Sequence, residues 1–169
     1  MPEKMLPAAP RRTAPPEEPR RALDRLRVGA DELTIRVTSA ETGGALMAAD
    51  VHLPAGGGPP VLHRHAPAEV YRVTAGALTI YLEDDHGEVE RIVTPAGAVV
   101  HIPGGREHTI RNESDSAAEA HVTFVPGEAL ERFARAAASP ADGPPRVEDV
   151  LALAGRHGIE MTRPVPAAG

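Results

Sequence analysis

An all-β domain, a sandwich or barrel of short strands, is the fold class this sequence predicts, and three observations carry the prediction. Eighteen prolines and sixteen glycines in 169 residues are far more than helices tolerate, since proline lacks the amide proton a helix needs and fixes its own φ. From Leu26 to Pro126 the chain divides into short runs in which apolar and polar residues alternate, the period of a strand with one buried face. Turn residues separate these runs at even intervals, as in sandwiches and barrels.

Each segment follows from its residues. Residues 1–24 are rich in Pro, Ala, Arg and Glu and nearly devoid of large apolar side chains, so a disordered arm is expected that cannot offset the entropy of ordering. Its paired arginines, Arg11, Arg12, Arg20 and Arg21, flank Glu17 and Glu18, which makes it a solvated tail rather than an anion-binding arm. Residues 25–127 hold the runs LTIRV, ALMAADVHL, EVYRV, ALTIYL, VERIV, AVVHI, HTIRN and AHVTFV. TAGA at 74–77 and DDHGE at 84–88 are short enough to be hairpin loops, with Gly free to take positive φ. Over residues 128–169 the period becomes helical. Leu130, Phe133, Ala134 and Ala137 form one stripe, and Val147, Val150, Leu151 and Ala154 form another. Two short helices are expected, packed on the barrel or on a neighbouring subunit.

Composition narrows the function classes. Lys plus Arg number 18 and Asp plus Glu 24, a net charge of −6, and no basic cluster lacks matching acids, so nucleic acid is not an expected partner. A small molecule is. No cysteine is present, which excludes disulfides, thiolate metal sites and thiol nucleophiles. Any metal must be held by His, Asp or Glu. No apolar run approaches the roughly 20 residues of a membrane span, and the first residues lack the apolar core of a signal peptide; cytoplasmic residence, with no membrane partner, is the expectation.

Two stretches carry chemistry. In VLHRHAPAEVYRVTAG, residues 61–76, His63 and His65 stand two apart, so on a strand both point to one face about 6.6 Å apart along the chain. Ala66, Pro67 and Ala68 then turn the chain, and Glu69 opens the next strand with Tyr71 and Val73 on its side. If that hairpin folds back, the carboxylate reaches the space the imidazoles face. In GAVVHIPGGREHTIRN, residues 97–112, Pro103-Gly104 has the signature of a type II turn with Gly at positive φ, delivering His108 to the start of another strand. Three imidazoles and a carboxylate could converge into a site for a divalent first-row metal.

Both stretches resemble the two signature motifs of the cupin superfamily. Gly57, His63, His65, Glu69 and Gly76 fill the fixed places of the first, and Gly97, Pro103, Gly105, His108 and Asn112 those of the second. The resemblance covers roughly residues 27–127. It implies a double-stranded β-helix, the cupin jelly-roll barrel, with His63, His65, Glu69 and His108 as metal ligands. The flanking stretches resemble, more loosely, single-domain cupins grouped with quercetin 2,3-dioxygenase.

That resemblance implies one divalent transition metal ion, Fe, Mn, Ni, Co, Cu or Zn, with O₂ as co-substrate and Glu69 as the catalytic group taking a proton from an enol or hydroxy-carbonyl substrate. Oxygen-independent isomerisation or cyclisation at the same metal is the enzymatic alternative, and a non-catalytic small-molecule-binding cupin is the other. Self-association as a homodimer is expected from the resemblance. His52, His86, His101, His121 and His157 fit neither motif: His86 and His157 read as solvated or capping residues, and His101 as surface or supporting. Asn112 is expected to brace local backbone, while Tyr71 either lines the cavity or fills the core. With only Tyr71, Tyr81, Phe124 and Phe133 aromatic, a planar polyphenol would meet mainly aliphatic walls such as Leu78, Ile80 and Val99.

Overall fold

A computed structural model describes residues 23–138 and 147–165. The arm expected over residues 1–24 lies outside the described residues up to residue 22, and Asp24 already opens a strand. In chain order the strands are β1 (Asp24–Val28), β2 (Asp31–Val37), β3 (Met47–Leu53), β4 (Val61–Arg64), β5 (Ala68–Ala75), β6 (Ala77–Glu83), β7 (Val89–Pro95), β8 (Val99–Ile102), β9 (His108–Arg111) and β10 (Ala118–Val125). Helices α1 (Glu128–Ala137) and α2 (Val147–Arg156) follow, then β11 (Glu160–Pro164).

The strands form two antiparallel sheets, β1-β2-β3-β10-β5-β8 and β11-β4-β9-β6-β7. Alternation decides which side chains meet between them. On β10, Ala118, Ala120, Val122 and Phe124 point inward while Glu119 and Val125 are exposed. Glu69, Tyr71 and Val73 do the same on β5. Inner-face residues of both sheets share one core, including Ile35, Val73, Leu78, Ile80, Ile102 and Val122. Each such side chain contributes about 1.5–3 kcal/mol on burial, so the core fixes the sheets that carry the site. The fold is the jelly roll that the sequence predicts, with two short helices.

Several local expectations are corrected. The DDHGE loop does close a hairpin between β6 and β7, but TAGA does not, because β5 and β6 belong to different sheets. It is a corner. The same holds for β4 and β5 across Ala66–Ala68: Glu69 does not fold back beside His63 but looks at it from the opposite sheet. The Pro103 turn is displaced by one residue. Arg106 N–H donates to Pro103 O at 3.4 Å, and Gly105, not Gly104, takes positive φ at 79°. Gly104 is needed for room instead, since a Cβ there would sit 2.1 Å from the Ala66 carbonyl oxygen.

The C-terminal segment also departs from a purely helical one. After α2, β11 pairs with β4, setting Met161 opposite His63 and Glu160 opposite Arg64. Without it, β4 would be a sheet edge. Ala154 of the second predicted stripe is fully buried, whereas Leu151 is 46% exposed.

Candidate metal centre

His63 lies on β4, His65 one residue beyond its end, and His108 at the start of β9. Antiparallel pairing sets His63 directly opposite His108. Glu69 arrives from the other sheet, on β5 between Ile102 and Phe124. The structure therefore brings together all four residues that the sequence singles out. His65, Glu69 and His108 are 4%, 3% and 1% exposed.

The three rings lie 4.6–5.6 Å apart, centroid to centroid, with one nitrogen from each ring within 4.8 Å of the others. Glu69 Oε1 stands 2.9 Å from His65 Nε2 and 3.5 Å from His108 Nε2. Second contacts orient the rings: Nδ1 of His65 faces Pro67 O at 3.0 Å and Nδ1 of His108 faces Arg106 O at 2.8 Å. His63 Nδ1 faces Val61 O at a longer 3.5 Å. A carbonyl oxygen only accepts, so these contacts place the proton on Nδ1 and leave the Nε2 lone pair for the site.

That arrangement tests whether a metal fits. Nε2 of His65 and of His108 are buried and make no properly directed hydrogen bond, although Glu69 is close to both. Lone pairs and a carboxylate converging on one point need a cation or extra protons between them. The donor set, three imidazoles and one carboxylate, suits a divalent first-row ion.

The electrostatics agree. Burial, then the neighbouring His108, pushes His63 down to about 4, so its ring is neutral near pH 7. For Glu69, burial acts upward, but the contacts with His108 and His65 outweigh it and hold the carboxyl well below the usual carboxylate range. For His108, burial acts downward and Glu69 outweighs it, raising its pKa. Burial, then the Glu69 charge, pushes the Tyr71 hydroxyl well above its ordinary value.

The four residues and Tyr71 line a cavity of about 830 Å³ that extends to α1 and α2. Tyr71 thus lines the cavity as well as the core. The expected walls are corrected: Leu78 and Ile80 are buried outside it, and Val99, 61% exposed, faces solvent beside the exposed His101. Met47, Val51, Leu53, Phe124 and Leu130 take their place. His52 and His121 lie on the outer sheet face, against Glu119 at 3.6 Å and Asp50 at 2.9 Å. His86 is exposed, and His157 packs at 6.0 Å from the Phe133 ring. Asn112 is fully buried and braces three backbone carbonyls, Leu53 O, Pro54 O and Ser116 O, at 2.7–3.0 Å.

Sequence reasoning missed one support of the site. Glu107, beside His108 and 3% exposed, accepts from Arg163 of β11 at 2.6 and 3.0 Å. Burial acts upward on Glu107, but Arg163 outweighs it and lowers its pKa. The signal was the alternation in IEMTR after Gly158, masked by the proline that follows.

A small jelly roll with converging histidines at the foot of an apolar cavity defines a class of barrel, and residues 49–125 match the family described as Cupin domain. Over that stretch the chain is similar to cupins. Among solved structures, a variant of Bacillus subtilis oxalate decarboxylase is 21% identical with a TM-score of 0.54, over 62% of this chain and 28% of that one. An oxalate oxidase is 25% identical with a TM-score of 0.49, over 75% of this chain and 65% of that one. A cupin-superfamily sugar phosphate isomerase from Silicibacter pomeroyi is 22% identical with a TM-score of 0.47, over 58% of this chain and 60% of that one. The chain thus spans less than two thirds of the length of these three proteins. A search of curated proteins finds no match. Among the described residues, no helix is long and apolar enough to cross a membrane.

Proposed function

We propose that this protein is a metal-dependent cupin dioxygenase acting on an enol or hydroxy-carbonyl small molecule. The observation that carries the reading is the convergence of His63, His65, Glu69 and His108 at one end of an apolar cavity, with Nε2 of the buried His65 and His108 lacking a directed hydrogen bond. In this reading the four residues hold one divalent transition metal, which supplies charge stabilisation for a substrate oxyanion and a route for electrons to O₂. Glu69 accepts the proton from the enol or hydroxyl group. It is placed for that role because it faces the donors from the opposite sheet and is tied to no cationic side chain of Lys or Arg. Tyr71 stands beside it on the same strand face. Both atoms of O₂ enter the cleaved product, so the electrons balance with no external reductant.

The reading includes a homodimer, for which Val70, Val99 and Val125 of the six-stranded sheet offer exposed apolar side chains. The test is elemental analysis of the purified protein together with O₂ uptake on a panel of polyphenols and β-diketones, using labelled O₂. One bound metal and two labelled oxygens per turnover are expected. Turnover at the aerobic rate without oxygen would overturn the dioxygenase and leave isomerisation or cyclisation; a metal with no turnover would leave a binding protein.

A further inference from the structure

The walls of the cavity are as informative as its donors. Polar side chains are few in its lining. The three histidines, Glu69 and Tyr71 gather at the metal centre; among the charged lining residues, Glu32, Asp149 and Arg156 are exposed and Asp31 is committed to the Gly58 N–H at 3.1 Å. Much of the remaining wall comes from Met47, Val51 and Leu53 of β3, Leu130 of α1, Leu153 of α2 and Met161 of β11. None of these side chains offers a hydrogen bond of useful strength.

A substrate hydroxyl placed against these side chains would lose its water and gain no partner, which costs about 1–3 kcal/mol per group. Methylene groups there would each gain transfer free energy. Methionine and leucine walls also adapt to a flexible chain better than to a rigid ring, and Phe124 and Phe133 are the only rings beside Tyr71 and the histidines. Both facts select against sugars and polyhydroxylated flavonoids.

We propose that the substrate is an amphipathic enol or β-dicarbonyl compound with an unbranched aliphatic tail, and that α1, α2 and β11 form the tail subsite. The head group rests on the proposed metal centre; the tail subsite does not. The full-length protein, chelator-treated or metal-loaded, would be titrated calorimetrically with acetylacetone and homologues in which one methyl is extended from propyl to nonyl. Affinity is expected to rise about four-fold per methylene, with the same slope in both forms and a constant gain in the loaded form. Leu153→Trp and the more exposed Leu151→Asp should each lower the affinity of the nonyl compound at least ten-fold while leaving acetylacetone binding to the loaded protein unchanged.

A flat chain-length series in both forms would overturn the tail subsite, even if the constant metal-dependent gain upheld the centre. The same slope with no metal-dependent gain would uphold the tail subsite and overturn the centre. A planar flavonol that bound more tightly than the nonyl compound would overturn the aliphatic assignment.

Discussion

At the inner end of the cavity, three side chains on strands of facing sheets and His65, just beyond β4, are held by register and by backbone carbonyls behind two of the rings. At the outer end, aliphatic side chains project from α1 and α2, which reach the barrel through side-chain contacts instead of a hydrogen-bonded ladder. The inner end therefore selects by charge and direction, which tolerate little displacement. The outer end selects by area, which tolerates much. One cavity thus combines a rigid chemical head with an adaptable wall.

The sharpest way to break that comparison is to remove one donor. His108→Ala should lower metal affinity by more than 100-fold, since loss of a supporting contact alone typically costs 10–100-fold, and should abolish turnover. Chain-length dependence in the metal-free protein should survive. Elemental analysis and calorimetry on the same preparation check both halves; collapse of the tail affinity as well would show that the two ends are one cooperative unit.

Acidity separates the ends less drastically. His108 is raised above its unfolded pKa by Glu69, so in the metal-free protein its stabilising contact is fully present below about pH 6.5 and is lost as pH rises through the raised folded value. Metal binding must displace that proton. His63, pushed down to about 4, already offers a neutral ring. The metal-induced rise in Tm should therefore be small near pH 6 and larger near pH 8, with affinity changing up to about ten-fold per pH unit for one displaced proton. Binding of an uncharged aliphatic probe should not follow pH over the same range. Thermal scans with and without metal at several pH values check this.

The same division governs what the sequence made legible. Strand alternation and the resemblance to the two motifs together singled out His63, His65, Glu69 and His108, although Glu69 reaches them from the facing sheet and not by the hairpin that spacing suggests. Spacing did not reveal which strands share a sheet. A Gly corner after β5 and a Gly loop after β6 look alike in one dimension, and only packing between sheets distinguishes them. Val99 was misplaced for a simpler reason: it shares its strand face with His101, so reading one outward required the other outward too. β11 was hidden because Pro164 reads as a strand breaker, yet it tolerates the end of an edge strand, where β11 lies. The contact of Arg163 with Glu107 was therefore invisible along with it.

The smallest effect is expected at the anchor of α1, where the outer end can be loosened without touching the centre. Glu131, 7% exposed, accepts the Ser39 N–H at 2.6 Å and two Arg135 donors at 2.7 and 2.9 Å, and Arg135 also reaches Asp24 at 2.7 Å. Burial acts upward on Glu131, but Ser39 and Arg135 outweigh it and lower its pKa. Removing the carboxylate leaves the Ser39 amide without its acceptor, while Arg135, about two fifths exposed, recovers water. Glu131→Ala should therefore cost about 1–2 kcal/mol in chemical unfolding. Because α1 supplies Leu130 to the cavity, the gain per methylene should shrink, and metal affinity should stay within two-fold of the parent. A parallel loss of metal affinity would mean that the helices position the imidazoles, and the inner end would no longer be rigid by its own strands alone.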